Sequence, residues 1–301
     1  MIEKKCNELQ MNIVENIAKE KEAIVSPSGA GGEALFIIKI GGNVIDNAEA
    51  LPSFLRDFAA IPAKKILVHG GGKIATKIGD KLGIESKYIN GRRITDDDTI
   101  DVVTMVYGGL VNKKIVAQLQ ALQCNAIGLT GADANIIPAN KRPVRSLSGA
   151  ETEAIDFGWV GDIEYEKMNI DVLHQLLQSG VAPVFAPLTH DGAAHILNTN
   201  ADTIASSLAV ALSKYYNVRL IYCFEKKGVL ENVEDENSVI KKINKEKYRQ
   251  LVAEKKLFEG ILPKIDNAFA AIDAGVKQVL IGDAKDLIQN TTEQTEGTLI
   301  Y

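Results

Sequence analysis

The stretch LFIIKIGG, at residues 35–42, indicates the fold of this chain more clearly than any other segment. Its long apolar run is typical of a strand that is buried on both faces of a parallel sheet. Lys39 interrupts this run, and an unpaired ammonium group at a buried position costs several kcal/mol in order of magnitude. We therefore expect an anionic group to meet Lys39.

A second lysine occupies an unfavourable position near the other end of the chain. Lys264 follows Pro263 at the start of a predicted helix over residues 263–274. Proline is favoured in the first turn of a helix, whereas the helix dipole disfavours a cation there. A polyanionic ligand between Lys39 and Lys264 would explain both positions, and phosphate is the first candidate.

Outward from residues 35–42, short apolar runs alternate with helical patterns along the chain. The runs predict strands over residues 35–40, 65–69, 125–129, 181–186, 218–223 and 277–281. The helical patterns cover residues 73–82, 99–122, 169–179, 202–213 and 263–274. This alternation predicts an α/β fold with a mainly parallel sheet and helices on its faces, and residues 144–163 are a candidate hairpin.

The composition limits the class of protein and its partners. The chain has 301 residues, 46% of them hydrophobic and 24% charged, which is enough for a large core or two lobes. Its net charge of −5 argues against a broad nucleic-acid surface, which needs an excess of clustered cations. No apolar run reaches the ~18 residues of a membrane span, and residues 1–20 lack the apolar core of a signal peptide. We therefore expect no nucleic acid and no membrane as partners.

The cysteines give information about the cellular compartment. Cys6, Cys124 and Cys223 are odd in number, widely spaced, and form no CxxC pair. Such a pattern indicates neither a disulfide framework nor a zinc site. A cytoplasmic location, where thiols stay reduced, fits best.

Residues 1–33 differ from the rest of the chain. Apolar residues recur there at intervals of three and four, at Ile2, Cys6, Leu9, Ile13 and Ile17. This period predicts an amphipathic helix, and the following SPSGAGG segment at 26–32 is typical of a flexible linker. Two interpretations stay open, a frayed appendage and a helix that packs on another subunit.

A glycine turn, HGGG at residues 69–72, lies between a predicted strand and a predicted helix. Such a turn lets backbone N–H groups approach an anion, and the helix N-terminus adds to the attraction. Neither a GxGxxG spacing nor a GxxxxGK[ST] loop occurs in the chain, which argues against the Rossmann and P-loop classes. His69 is either a structural residue at the strand end or an acid or base.

Two polar segments are further candidates for ligand binding. NTNAD at residues 198–202 precedes a predicted helix, so its side chains either cap that helix or hold a substrate. Capping explains one such side chain but hardly three at alternate positions. NGRRIT at residues 90–95 places two guanidinium groups beside a turn, and arginine suits bidentate recognition of a carboxylate.

Seven motifs, taken in order, resemble those of the N-acetylglutamate kinases in the amino acid kinase family. The resemblance covers residues 35–301, and the order of the motifs makes it specific although each one alone is weak. The motifs are KIGG at 39–42, HGGG at 69–72, NGRRIT at 90–95, GLTGAD at 128–133, GWVGD at 158–162, NTNAD at 198–202 and the late Lys264.

The resemblance implies a three-layer αβα sandwich with a mainly parallel central sheet and two lobes. Residues 34–216 would form a lobe that binds an acylated amino acid and makes a dimer, and residues 217–301 would form a nucleotide-binding lobe. The segment 1–33 would be a helical extension with its linker. A homodimer or a higher homo-oligomer is expected.

The resemblance also implies roles for particular residues. Lys39 and Lys264 correspond to two lysines that stabilise the transition state, and Asp202 corresponds to the aspartate that organises them. The implied substrate-binding residues are Gly71, Gly72, Arg93 and Asn198. Backbone groups of Gly41 and Gly42 would bind phosphate, and the implied nucleotide-binding residues are Glu225, Gly228 and Leu230.

The implied reaction is the ATP-dependent phosphorylation of the γ-carboxylate of N-acetyl-L-glutamate, a step of arginine biosynthesis. A carboxylate with a reference pKa near ~4.3 is already ionised at neutral pH, so no general base is needed. Fixed cations, N–H donors and Mg²⁺ would stabilise the charge that moves with the phosphoryl group. Because phosphates and waters usually hold most of the Mg²⁺ coordination sphere, we expect no separate metal cage in the protein.

The sequence departs from the family pattern in two segments. FEKKGVL at residues 224–230 stands where an Asp-x-x-Gly loop is common, which affects the expected nucleotide contacts. Residues 283–301 lack much of the pattern of arginine-inhibited members, although an N-terminal helix is a feature of those members. We expect no strong inhibition by arginine.

Three alternatives remain at this stage. Another kinase of the same fold is one, and a non-catalytic kinase-like binding module is another. The third concerns the acyl group, since the segments 90–115 and 223–230 look closest to a bacterial subgroup in which N-succinyl-L-glutamate is a plausible substrate. Either acyl group leaves the reacting γ-carboxylate unchanged.

Overall fold

The structure is a computed structural model, and it describes residues 32–89, 91–144, 154–232, 234–254, 256–257 and 261–301. The helix predicted in residues 1–33 therefore lies outside the described residues, as does Asn90 of the NGRRIT segment.

Fourteen strands are present in the described part of the chain. In order they are β1 Ala34–Ile40, β2 Lys64–His69, β3 Tyr88–Ile89, β4 Arg92–Arg93, β5 Ala126–Leu129, β6 Ala139–Lys141, β7 Gly161–Ile163, β8 Ala182–Phe185, β9 Leu188–His190, β10 Ile196–Asn198, β11 Asn217–Phe224, β12 Lys242–Ile243, β13 Gln278–Asp283 and β14 Thr298–Ile300. All six strands predicted from apolar runs are confirmed, each within about two residues.

The α-helices of the same residues are α1 Gly42–Ile45, α2 Ala50–Ala60, α3 Gly72–Lys81, α4 Asp97–Val103, α5 Asn112–Ala121, α6 Ile170–Gln178, α7 Ala201–Leu212, α8 Lys245–Ala253, α9 Leu262–Asp273 and α10 Leu287–Asn290. Short 3₁₀ turns cover Asp133–Asn135, Tyr165–Lys167 and Ala284–Asp286.

Eight strands form one sheet in the order β12-β14-β13-β11-β1-β2-β8-β5. Strand β1 pairs in parallel with both β11 and β2, so Lys39 lies between Tyr222 and Val68 in the centre of the sheet. The pair β13 and β14 is antiparallel. The prediction of a mainly parallel sheet is confirmed.

The side chains of β1 alternate between two cores. Leu35 and Ile37 belong to a core beneath α6, α7, α8 and α9, whereas Phe36, Ile38 and Ile40 belong to a core beneath α2, α3, α4 and α5. Each such side chain contributes about 1.5–3 kcal/mol when it is fully buried. Helices on both faces of the sheet make the three-layer αβα sandwich that was expected.

Glycine ends two of the helices where the sequence predicted a stop. After α3, Gly83 has a φ of +77°, and the N–H of Ile84 donates to the carbonyl of Gly79 at 2.9 Å. After α9, Gly275 has a φ of +109°, and the N–H of Val276 donates to the carbonyl of Ala271 at 3.0 Å. This is the Schellman pattern, in which glycine takes the left-handed position at no steric cost.

The helix predicted over residues 99–122 is interrupted in the structure. A π-helix, Thr104–Val111, separates α4 from α5. Its Gly108 and Gly109 are poor α-helix formers, and π-helical turns often occur at functional sites. The periodic pattern alone did not reveal this change of helix type.

The hairpin predicted in residues 144–163 is placed differently from the prediction. Strand β6 begins earlier, at Ala139, and pairs in antiparallel fashion with β7. Part of the connection between the two strands lies outside the described residues. None of the described helices is long and apolar enough to cross a membrane.

Candidate active site

Two cavities open at the carboxyl ends of the central strands. The lysine cavity, of about 470 Å³, is lined by Gly41, Gly42, Lys73, Phe224, Glu225 and Lys264 among others. The arginine cavity, of about 500 Å³, is lined by Gly71, Arg93, Arg142, Asn198, Asp202 and Lys264 among others. Gly72 and Lys264 line both cavities, so the two are adjacent at these residues.

A third cavity is larger but lies at the opposite, amino ends of the strands. It measures about 720 Å³ and is lined by Ala34, Lys65 and Ala182, which begin or nearly begin their strands. The ammonium group of Lys65 is occupied, because it donates to the carbonyls of Ala59 and Ile61 at 2.8 and 2.7 Å. In open α/β sheets, ligands bind at the carboxyl ends of strands, so we place the candidate site in the other two cavities.

Lys39 meets its anion at the end of β1. Its Nζ lies 2.8 Å from Oδ1 of Asp202, and its side chain is 10% exposed. Within the described chain that buried oxygen has no hydrogen bond of good geometry, so we describe the contact as an ion pair. The anionic partner expected for Lys39 therefore includes a carboxylate of the protein itself.

Asp202 does not cap helix α7. The cap is Asn200, whose side-chain oxygen accepts from the N–H groups of Asp202 and Thr203 at 2.7 and 3.3 Å. Asp202 lies in the first turn of the helix, where the dipole favours an anion. Its backbone carbonyl accepts from the hydroxyl of Tyr222 at 3.4 Å, and its carboxylate is left for Lys39. The three alternate polar residues are thus not all in extended chain, because α7 begins at Ala201.

Lys264 lies in the first turn of α9, as the sequence predicted. Its Nζ lies 3.4 Å from the centre of the Phe224 ring, a cation–π contact that compensates part of its lost hydration. Burial is the largest influence on the pKa of Lys264 and lowers it, Asp202 opposes this effect, and Lys39 adds to it. The three charges therefore influence one another at the junction of the two cavities.

The glycine turn between β2 and α3 forms one wall of the arginine cavity. A Cβ atom on Gly71 would lie 3.0 Å from the ring of Tyr107, a residue of the π-helix. The ring leaves no comfortable room for a side chain at that position, so backbone faces the cavity. Tyr107 is buried, and burial is the largest influence that raises its pKa. Sequence reasoning missed Tyr107, although the glycine pair after it was a signal of irregular helix.

The two neighbouring arginines on β4 differ in their surroundings. Arg93 is 8% exposed, whereas Arg92 is exposed to solvent. The guanidinium of Arg93 donates to the carbonyl of Gly72 and to Oγ1 of Thr76, both at 3.0 Å, and also to Oγ of Ser86. These bonds fix the plane of the guanidinium before any ligand binds.

Arg142 is a second guanidinium held in place on the arginine cavity. Its Nη2 and Nε donate to Oδ1 of Asp162 at 2.6 and 3.0 Å, and its guanidinium lies 5.6 Å from the Phe157 ring centre. Sequence reasoning missed Arg142, because it lies just beyond β6, far along the chain from Arg92 and Arg93. Asn198, which was predicted, lies at the end of β10 and donates to Oγ1 of Thr95 at 3.0 Å.

The predicted nucleotide residues are only partly brought together. Glu225 and Gly228 line the lysine cavity, and so do Gly41 and Gly42. Leu230 is not among the lining residues; it is 1% exposed and pairs with Val239. The prediction for Leu230 is not supported by this geometry, since its side chain faces the protein core.

His69 is a structural residue of the strand end. It is fully buried, and burial lowers its pKa to about 4, so it is neutral at pH 7. Its Nδ1 lies 2.7 Å from the Gly70 carbonyl, and its Nε2 lies 3.1 Å from Nδ2 of Asn112. The tautomer protonated on Nδ1 satisfies both contacts. A proton-transfer role is therefore disfavoured.

A family model described as the amino acid kinase family matches residues 34–283. This chain belongs to the amino acid kinase family. It is 54% identical over 267 residues to the acetylglutamate kinase of Cytophaga hutchinsonii, covering 88% of this chain and 98% of that protein. It is 51% identical to the acetylglutamate kinase of Parabacteroides distasonis, covering 89% of this chain and 100% of that protein.

Solved structures agree with this assignment at the level of the fold. The crystal structure of N-acetylglutamate synthase from Neisseria gonorrhoeae, in complex with coenzyme A and N-acetyl-glutamate, matches with a TM-score of 0.74. The identity is 20%, and the match covers 95% of this chain and 63% of that one. The amino acid kinase fold of the chain thus rests on sequence and on shape together.

Proposed function

We propose that this chain transfers the γ-phosphoryl group of ATP to the γ-carboxylate of N-acetyl-L-glutamate, in arginine biosynthesis. The observation that carries the proposal is the meeting of two cavities at Gly72 and Lys264, one with fixed guanidinium groups and one with lysines. Two polyanionic substrates can approach each other there. The names of the relatives that are 51% and 54% identical support the same reaction.

The acylglutamate would bind in the arginine cavity. Arg93 would donate hydrogen bonds to the α-carboxylate of the acylglutamate, because the Arg93 guanidinium is already oriented by Gly72, Thr76 and Ser86. Asn198 would hydrogen-bond to the amide of the acyl group, and the backbone of Gly71 and Gly72 would line the path of the phosphoryl group. The γ-carboxylate attacks as an anion, so the neutral, enclosed His69 is not required as a base.

The nucleotide would bind in the lysine cavity with Mg²⁺ as part of the substrate complex. Its phosphates would lie against the backbone of Gly41 and Gly42, near Glu225 and Gly228. Asp202 is paired with Lys39, and among the described residues no three or more His, Cys, Asp or Glu side chains are placed so that they could hold a metal ion together. These residues fit a Mg²⁺ ion that phosphates and water hold for the most part.

Lys39, Lys264 and Asp202 would stabilise the transition state. As the phosphoryl group is transferred in line, the P–O bond to ADP breaks and negative charge builds up on the β,γ-bridging oxygen, while the carboxylate oxygen that forms the new P–O bond loses charge. The two ammonium groups approach that region from β1 and α9, and Asp202 lies 2.8 Å from Lys39 and close enough to act on Lys264. Such preorganised charges cost no reorganisation during the reaction.

The lobes and the assembly belong to the same proposal. Residues 34–216 would form the acylglutamate lobe and residues 217–301 the nucleotide lobe. A homodimer would form through the first lobe, because β5 is an edge strand of the eight-stranded sheet and exposes Ile127, and because the π-helix of the same lobe exposes Met105 and Leu110. Exposed edges and apolar side chains of this kind favour pairing with a second copy. The cytoplasmic location stays a prediction from the cysteine pattern.

N-succinyl-L-glutamate is a second candidate substrate, and one observation favours it. The charged residues that line the arginine cavity are Arg92, Arg93, Arg142 and Lys264 against the single carboxylate of Asp202. Arg93 and Lys264 serve the two carboxylates of glutamate, which leaves for a further anion Arg92 and the part of the Arg142 guanidinium that Asp162 does not bind. A succinyl group would bring a carboxylate there.

A coupled ADP-release assay with both acylglutamates tests the proposal. We expect ADP release that depends on an N-acylated glutamate and fails with free aspartate. A higher kcat/KM for the succinyl compound, lost in Arg142→Gln, would assign the second substrate. No ADP release with either compound, at nucleotide concentrations that saturate binding, would refute the proposed reaction.

A further inference from the structure

The lysine cavity carries more positive charge than the proposed reaction has used. Its charged lining residues in the described chain are Lys73, Lys226 and Lys264, against Glu225 alone. Only Lys264 among these lysines has a role in the proposed transfer. An excess of ammonium groups around an enclosed space favours a polyanionic ligand, and Lys73 is the one whose surroundings are best defined.

Lys73 is the second residue of α3, directly after the glycine that both cavities share. The helix dipole makes the first turn an unfavourable place for a cation. A Cβ atom on Gly42 would lie 3.8 Å from Cδ of Lys73, so the lysine side chain crosses the turn where phosphate is expected to bind. Its position thus joins the glycine turn after β1 to the glycine turn after β2.

The present partner of Lys73 is a neutral group. Its Nζ donates to Oδ1 of Asn43, and Nδ2 of Asn43 donates in turn to Glu225. Burial raises the pKa of Asp46, and the charges of Lys73 and Lys77 each lower it by a smaller amount. Among the described residues, however, no carboxylate oxygen comes within 4.0 Å of Nζ of Lys73. The ammonium group is therefore free to exchange an amide oxygen for a stronger, charged acceptor.

We propose that Lys73 is a third phosphate-binding cation of this enzyme. When a nucleoside triphosphate binds, the ammonium group of Lys73 breaks its hydrogen bond to Asn43 and contacts the β- and γ-phosphates. This inference rests on the proposed use of ATP. It adds to Lys39 and Lys264 a residue that reaches the phosphates from the glycine turn of β2. Asn43 and Glu225 hold the ammonium group over the cavity until the nucleotide arrives.

The test compares Lys73→Gln with Lys77→Gln in the full chain, by calorimetric titration with a non-hydrolysable ATP analogue and Mg²⁺. Lys77 lies one turn further along the same exposed face of α3 and acts on Asp46, but it does not line the lysine cavity. Glutamine keeps a donor for Asn43 and removes only the charge. Loss of a charge-assisted hydrogen bond should weaken binding in Lys73→Gln by roughly ten- to a hundredfold. Lys77→Gln should bind like the wild type.

Further outcomes separate this inference from the proposed function. Lys73→Arg keeps the cation and should stay close to the wild type, whereas a purely structural role would tolerate Gln better than Arg. Equal affinities in the two glutamine variants, with normal binding by the wild type, would overturn the inference alone. A wild type that binds no nucleotide would overturn the inference together with the proposed reaction.

Discussion

The arginine cavity and the lysine cavity recognise charge in different ways. In the first, Arg93 and Arg142 are already held by several hydrogen bonds, and their guanidinium planes are fixed. In the second, the ammonium group of Lys264 lies over an aromatic ring and that of Lys73 donates to an amide oxygen, so neither is oriented as a planar fork. Oriented guanidinium forks suit a small ligand with carboxylates in set places, and compact ammonium charges suit phosphates that change position during transfer.

The difference follows from where each set of residues lies in the fold. The arginines lie on or next to short strands, β4 and β6, whose partners hold them on several sides. The lysines lie in the first turns of α3 and α9, at ends of helices that face open space. Selectivity for the acceptor should therefore depend on geometry, and the rate of transfer on charge.

The largest effect is expected where the cavities meet. Lys39→Ala or Lys264→Ala removes a cation that acts on the moving charge, so kcat should fall about 10²–10³-fold, by analogy with loss of an oxyanion donor. The KM for ATP should change much less. Steady-state kinetics of both variants check this, and a fall in kcat of less than about tenfold in both would contradict the assignment.

The next effect separates catalysis from helix capping at the start of α7. Asp202→Asn should lower kcat by at least about tenfold, because the two lysines lose their shared anion, and it should also lower thermal stability, because the buried ammonium group of Lys39 loses its charged partner. Asn200→Ala removes the cap and should lower the free energy of unfolding by about 1 kcal/mol. Kinetics and thermal melts of the two variants measure both quantities. Wild-type turnover in Asp202→Asn would reject its organising role.

A smaller effect tests the fixed geometry of the arginine cavity. Arg93→Lys keeps the charge but loses the planar fork, so the KM for the acylglutamate should rise by about tenfold while the KM for ATP stays similar. With N-acetyl-L-glutamate, which brings no further anion, Arg92→Lys is the matched control, since Arg92 is exposed. If Arg92→Lys had the larger effect, the carboxylate would bind one residue away from the position we infer.

The smallest expected effect concerns pH. Burial lowers the pKa of Lys264, so this ammonium group should lose its proton at a lower pH than an ordinary lysine does. Because the neutral amine no longer stabilises the transition state, kcat should fall as the pH rises through that lowered pKa. Lys264→Arg stays charged and should move the alkaline limb to higher pH. An alkaline limb at the same pH in both proteins would assign it to another group.

The sequence was sufficient to predict the site residues whose charge is unfavourable at their position in the fold. Lys39 in an apolar strand and Lys264 at a helix start were both anomalies; Lys264 lines both cavities, and Lys39 is paired with Asp202, which lines one of them. The resemblance implied an organising role for Asp202, but the NTNAD segment alone did not distinguish its carboxylate from a helix cap. The cap proved to be Asn200.

Other residues could not be found from local patterns. Tyr107 lies in the π-helix, and its ring packs against Gly71. The α-helical spacing used to interpret the sequence does not hold in a π-helix, so it did not indicate which way this side chain points. Arg142 is brought to the arginine cavity by the β6–β7 pairing, which joins segments about twenty residues apart. The resemblance implied a nucleotide-binding role for Leu230, but the side chain of Leu230 is buried and does not line the cavity.

The central claim is that one phosphoryl group passes from the lysine cavity to a carboxylate in the arginine cavity. Hydroxylamine converts an acyl phosphate into a hydroxamate, so ADP and hydroxamate can be counted in the same reaction. We predict equal amounts of the two for the wild type with an N-acylglutamate, and loss of both in Lys264→Ala. ADP release without an acceptor, or without any hydroxamate, would contradict transfer to a carboxylate at this junction.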